Sequence, residues 1–377
     1  MKIRSRLRVF LAIVSASMTL LVSMTAPPSA PGAVETWEKL DKRLKGQIFQ
    51  LNIGIKIKVK GEYAQLTDVS PKYKFAVFGT TPDDKGFRVV GFGSSFPIRT
   101  AKGDKTYFLT NRHVVDSGEG IVQESQRFFA AMRLNAQQTA GFTSAEQRYK
   151  DMMAIVNMSQ KKDMNFAERA IYNSTVDGIW DTYENNLSTK ADPQRKQFQK
   201  YLAMAGVESE TGYFLHSPGP VTQPALQAQL YKVARTDAEP DLAVLTVGDS
   251  ALPKLDLDTV TPSEGQEIQV IGYPLASDQI DADSGTYYAP TFTTGRVSRV
   301  APRLLHVDAP VTVGNSGGPV VSLRGKVVGV VARRAMLPHT MNGQVVQAEL
   351  PNFGGAITVQ SVKGFAPELF SNITIQQ

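Results

Sequence analysis

The sequence predicts a mainly β chain, an antiparallel barrel or sandwich interrupted by a helical insertion. Three observations lead there. Short stretches of strand character, separated by Gly, Pro and Asp, recur on both sides of the middle of the chain. Between them, from residue 121 to about 210, lie long Gln-, Lys- and Ala-rich stretches poor in β-branched runs. Neither β-rich flank alone looks like a whole domain, so the flanks are read as one domain spanning 48–370 with the insertion at 121–210 inside it.

In chain order, VETWEKLDKRLKGQIFQ offers a short amphipathic helix, with Val34, Trp37, Leu40 and Leu44 at steps of three and four. IFQLNIGIKIKVK at 48–60 alternates apolar and polar residues, and KFAVFG, FRVVGFGSSFPI and KTYFLTNRHVV continue as short strands to residue 115. Three or four helices are expected in the insertion, Ser144 with Gln147 approximating a capping box. Its apolar residues, Phe128, Phe129, Met132, Tyr149, Met152, Met153, Ile155, Phe166, Ile171, Ile179, Trp180 and Tyr183, are expected to form a local core. Strand periodicity returns at 222–248 and continues in QEIQVIGYP, FTTGRVSRV, RLLHVDAP, PVVSLRGKVVGVVAR and AITV. LPHTMNGQVVQAEL at 337–350 reads as a surface hairpin between late strands.

With 377 residues, 42% hydrophobic and 20% charged, the chain can bury a substantial core. The formal charge of +6 suggests nucleic acid at first sight. Lys2, Arg4, Arg6 and Arg8 supply four of those charges, and removing them leaves 37 basic against 35 acidic residues, which implies no nucleic-acid partner. Those four stand before an apolar run from Val9 to Met24 and the segment TAPPSAPGA, the layout of an export signal over residues 1–30 with processing near Ala26, Ala30 or Ala33, or of a retained anchor. A periplasmic or secreted location is expected, with membrane attachment if the segment stays. The absence of Cys excludes disulfides, thiolate metal sites and a cysteine nucleophile. Four scattered His without an HExxH pattern give no metal shell, and no cofactor is expected.

Three places carry chemistry. His113, after TYFLTNR, sits where a strand runs into a turn, and an imidazole is suited to taking and returning a proton near neutral pH, although a lone His there is more often structural or at the surface. Asp241 opens the apolar DLAVLTV and could orient an imidazole or simply cap a turn. Ser316 lies in GNSGG, where small neighbours leave a hydroxyl accessible and backbone N–H groups of Gly314 and Ser316 could face a developing oxyanion. A Gly-rich hairpin is the plain alternative; a P-loop would need Lys directly before the hydroxyl residue.

TNRHVV at 110–115, DLAVLTV at 241–247 and GNSGGPVV at 314–321 resemble, in the same order, the three catalytic blocks of trypsin-like serine proteases, particularly the bacterial HtrA/Deg-like branch. GFGSSFPI, VIGYP, TTGRVSRV and GGAITVQ resemble strands of the same fold, so the likeness covers most of the chain outside the leader and the insertion. It implies two six-stranded antiparallel β-barrels with a His113–Asp241–Ser316 triad between them, an oxyanion hole of Gly314 and Ser316, and polypeptide substrates. Pro310 stands six residues before Ser316, where the family tunes its pocket, and Asp308 eight before; a small or medium apolar side chain is the expected preference. Val330, Val331, Ala332 and Arg333 are expected to pair with the substrate backbone, Arg333 and Arg334 being alternatively solvated strand-end charges. Two departures stand out: 128 residues separate His113 from Asp241, and the 61 residues after Ser316 are expected to finish the second barrel without a PDZ domain. A serine endopeptidase acting on exported or misfolded proteins is the leading expectation, and a catalytically silent binding or chaperone-like module the alternative. Self-association stays open.

Overall fold

A computed structural model describes residues 36–371 apart from 60–61, 65, 70–75, 79–85, 104, 159–163, 189–191, 249–250, 276–284 and 342–343. The leader at 1–30 and Val34 lie outside the described residues. Helix α1 (Trp37–Leu44) leads into β1 (Phe49–Val59), β2 (Glu62–Ala64), β3 (Leu66–Val69), β4 (Ala76–Phe78), β5 (Arg88–Ile98) and β6 (Thr106–Thr110). Five helices follow: α2 (Arg112–Val115), α3 (Ser117–Gln138), α4 (Ala145–Asn157), α5 (Phe166–Ser188) and α6 (Asp192–Ala203). Then come β7 (Val207–His216), β8 (Gly219–Pro220), β9 (Leu226–Val233) and β10 (Ala243–Val247). The last part holds β11 (Glu267–Gly272), β12 (Tyr287–Tyr288), β13 (Thr291–Val300), β14 (Leu304–Val307), β15 (Pro319–Ser322), β16 (Val327–Met341), β17 (Gln344–Thr358) and α7 (Val359–Phe365).

The strands close into two antiparallel barrels. The first runs β1-β5-β6-β10-β9-β7, shut by pairing of β7 back onto β1, with β2 added outside; the second runs β11-β13-β14-β17-β16-β15. The two six-stranded barrels expected from the family likeness are present. The strand that shuts the first barrel was not expected: β7 begins at Val207, inside the span read as helical, and pairs with β1 from Val59↔Val207 to Gln50↔His216. Its sequence, VESETGYFLH, has no apolar run because main-chain pairing, rather than a buried face, holds most of it; among its described side chains Leu215 is the one fully buried large apolar group.

Helices α3 to α6 build a core of Phe128, Met132, Met152, Val176, Ile179, Trp180 and Phe198. Ile55 and Ile57 of β1 belong to that same cluster, while Leu51 and Ile53 on the same strand face belong to the core of the first barrel with Phe108 and Val114. One row of β1 side chains, at the two-residue period of a strand, thus passes from barrel core to helical core. Ser144 accepts the Gln147 N–H at 3.1 Å, as the cap signal anticipated, and Asn165 with Glu168 make a reciprocal box at the start of α5. Phe166 and Ile171 depart from the expected core: they are 90% and 51% exposed, because the first turns of α5 present them to solvent and the packed face runs through Tyr172 and Val176. Phe96, Ile98 and Leu109 of the first barrel share a buried seam with Ile271, Val321, Val327 and Val330 of the second, joined by Leu40 and Leu44 of α1.

Candidate active site

Strand pairing brings His113 and Asp241 together. β6 and β10 are antiparallel, with Thr110 opposite Ala243, so the exit of one and the entrance of the other lie side by side despite the separation in sequence. Asn111 is still extended, and the chain then coils into α2, whose Val114 and Val115 are buried and turn His113 outward. Asp241 Oδ2 lies 2.6 Å from His113 Nδ1, and Oδ1 accepts the His113 backbone N–H at 3.0 Å. Asn111 Nδ2 donates to the Asp241 carbonyl at 2.8 Å. With the carboxylate on Nδ1, the ring proton belongs there and Nε2 is left as the base. Burial would raise the Asp241 carboxyl, but hydrogen bonds from His113 and the charges of His113 and Arg112 outweigh it and hold the group below its ordinary value. The Asp241 side chain is 15% exposed and that of His113 47%, so the pair is anchored on one side and open on the other.

Ser316 belongs to the second barrel, in the turn before β15. Gly314 and Gly317 adopt φ of 97° and 84°, which non-glycine residues rarely tolerate. A Cβ on Gly318 would collide with the Ile271 carbonyl, so the loop lies flat on β11. The N–H groups of Asn315, Gly317 and Gly318 donate to Thr312, Val331 and Asn315 carbonyls respectively. Among the described residues, the N–H groups of Gly314 and Ser316 have no acceptor, which leaves the two donors expected for an oxyanion unpaired. The Ser316 hydroxyl likewise makes no hydrogen bond among the described residues, to His113 or any other group.

Ser94 of β5 ties the two halves together, a role that sequence reading missed. Its hydroxyl donates to the Gly314 carbonyl at 2.7 Å and accepts the Tyr273 N–H at 2.9 Å, and its N–H donates to the Ser316 carbonyl at 2.8 Å. Thr110 Oγ1 in turn donates to the Ser94 carbonyl at 2.9 Å. A Cβ on Gly93 would lie 2.9 Å from the Val114 methyls and 3.0 Å from the Ser316 carbonyl oxygen, so the serine loop and the histidine helix both press on one glycine. The segment GFGSSFPI was the available signal, but a small hydroxyl in a strand reveals its partner only once the barrels are docked.

Pro310 is exposed and its carbonyl accepts Thr293 Oγ1 at 3.2 Å. The Asp308 carboxylate accepts the Arg296 backbone N–H and so holds β13. Val330 and Val331 correct the expected substrate edge. Val330 is fully buried between Pro319 and Ile357, and the N–H and C=O of Val331 are already engaged by Gly318 and Gly317. Among the described residues, the main-chain edge of β16 left unpaired on the β15 side therefore starts at Ala332 and Arg333.

A family model described as "Trypsin-like peptidase domain" matches residues 216–330, a stretch that holds Asp241 and Ser316 but not His113. An uncharacterized protein, y4bJ, of Sinorhizobium fredii is 32% identical over 120 residues, 28% of this chain and 18% of that protein. The serine protease Do-like HtrA of Bacillus subtilis is 27% identical over 161 residues, 39% of this chain and 32% of that protein. The chain thus spans a third or less of the length of these relatives. The crystal structure of a serine endoprotease from Yersinia pestis aligns over 91% of this chain and 68% of its own at 14% identity, with a TM-score of 0.40. In its paired six-stranded barrels and its matching peptidase stretch, the chain is similar to trypsin-like serine proteases, with HtrA-type proteins among the relatives it resembles.

Proposed function

We propose that the chain is a serine endopeptidase working through His113, Asp241 and Ser316. The observation that carries this reading is that a serine loop with two N–H donors unpaired among the described residues, and the helix bearing a carboxylate-held imidazole, press on one glycine, Gly93. His113 Nε2 takes the Ser316 proton as the hydroxyl oxygen attacks a peptide carbonyl. The Gly314 and Ser316 N–H groups receive the oxyanion, and Asp241 keeps the ring oriented and stabilises the imidazolium. His113 then protonates the leaving amine, and water activated by the same ring hydrolyses the acyl-enzyme. The hydrogen bond from Ser316 to His113 forms as substrate fills the cleft, catalytic contacts commonly tightening only in the complex.

The substrates are polypeptides, with an apolar side chain of small or medium size before the cleaved bond, since the Asp308 carboxylate is engaged at the Arg296 N–H and Pro310 adds no charge. The apolar leader with its basic start supports export, and exported or misfolded proteins as the targets. Among the described residues no helix is long and apolar enough to cross a membrane. The test compares the chain with Ser316→Ala on casein, together with labelling by a serine-directed phosphonate. Cleavage and a Ser316 adduct that both vanish in the variant are expected. Equal residual cleavage with no adduct would instead favour a silent binding module.

A further inference from the structure

β16 and β17, at 15 residues each, outrun the barrel they belong to. β15 pairs with β16 only from Val327 to Val330, and β14 with β17 only from Gly354 to Ile357. The two long strands nevertheless stay paired with each other out to Met341↔Gln344. Among the described residues, no strand pairs with β16 beyond Val331 on the side where β15 lay. An edge of main-chain donors and acceptors therefore runs from Ala332 to Met341, about 33 Å at strand spacing. Register breaks follow Val331 and Arg334, and at the second Leu350 to Phe353 of β17 stand against Ala335 alone. Most of the irregularity thus falls on β17, the strand away from this edge.

The position and direction of the edge fit one occupant. The chain leaves the slot beside β16 at Gly317 and Gly318, which cap Val331, so the vacant slot begins at Ser316. A polypeptide lying antiparallel to β16 would run in the same direction as β15. Its C-terminal end would then reach Ser316, with its preceding residues laid out toward Met341. That is the polarity required of a substrate whose attacked carbonyl sits at Ser316 and whose acyl side pairs with β16.

We propose that the β16–β17 ribbon is a rail for the acyl side of the substrate, extending main-chain pairing well past the residues next to the cleaved bond. The inference rests on the endopeptidase reading and deepens it by naming the substrate class: unfolded segments with about eight or more extended residues, free of proline, before the cleaved bond. Short peptides and tight loops of folded proteins cannot fill such a rail. An unpaired sheet edge of this length otherwise invites unwanted pairing, and use by substrate gives it an occupant.

The test uses peptides identical around the cleaved bond whose acyl side grows from about four to about ten residues. They are cleaved by the full chain and bound, by fluorescence anisotropy, to its Ser316→Ala variant. Affinity should rise and KM fall by about tenfold or more across the series, and N-methylation of alternate amides four or more residues before the bond should erase the gain. A second variant, with residues 336–349 replaced by Asn-Gly, should cleave the shortest peptide like the parent and show no gain with length. Binding that ignores length, a gain that survives N-methylation, or a gain that survives the shortened ribbon overturns the rail. A ribbon that pairs two copies instead, read as a dimer that becomes a monomer on shortening without any length effect, overturns it as well. Length-dependent binding without cleavage would leave the rail standing and remove the endopeptidase reading.

Discussion

The histidine half and the serine half of the site are built in different ways. His113 and Asp241 sit on adjacent strands of one barrel, fixed by the β6–β10 register and two hydrogen bonds between them. Ser316 sits on the other barrel, and its loop reaches the first chiefly through Ser94. The His113–Asp241 pair is therefore assembled whenever the first barrel is folded, whereas the place of Ser316 depends on how the two barrels dock. This explains how the imidazole is fully oriented while the Ser316 hydroxyl makes no hydrogen bond to it.

The comparison can be broken most severely at the serine. Ser316→Ala should lower kcat about a millionfold in casein cleavage with no change in melting temperature. Asp241→Asn tests the preassembled half: kcat should fall about ten-thousandfold, because an amide no longer holds the base-competent tautomer. Ser94→Ala tests the docking. It leaves the buried Gly314 carbonyl and Tyr273 N–H without a partner, so the chain should lose about 1–3 kcal/mol by urea titration, and kcat should drop about 10- to 100-fold by misplacing the loop. Phe128→Ala, in the helical core, should cost about 3–5 kcal/mol of stability yet change kcat/KM by no more than about threefold. The smallest effect is on pH dependence. Since folded Asp241 titrates below its ordinary value of 3.8, the stability it contributes is fully present above that pH and is lost as pH falls through the folded value. Melting temperatures of the parent and Asp241→Asn should accordingly converge in acid.

What could be read from the sequence divides along physical lines. His113, Asp241 and Ser316 announce themselves because each lies in a short local pattern, and β1, β5, β6 and β10 carry the apolar content of strands with buried faces. β7 could not be read, since its place is set by pairing with β1 and its residues carry no apolar periodicity. Phe166 and Ile171 were assigned to a core because helical spacing does not say where the packed face of a helix begins. Ser94 is silent in sequence for a different reason: its partners Gly314 and Tyr273 are about two hundred residues away and meet it only through barrel docking. The edge of β16 was placed two residues early at Val330 because the turn-back of Gly317 and Gly318 onto Val331 is a backbone event without a side-chain signature.

The passage of β1 from barrel core to helical core, with β7 closing onto it directly after α6, bears on how the chain can be divided. An excision of residues 121–210 would strip Val207 to Glu210 from the closing strand and uncover Ile55 and Ile57, opening the barrel that carries His113. The helices are thus less an ornament on two finished barrels than one wall of the first, and any seam along which they could be cut must end before Val207.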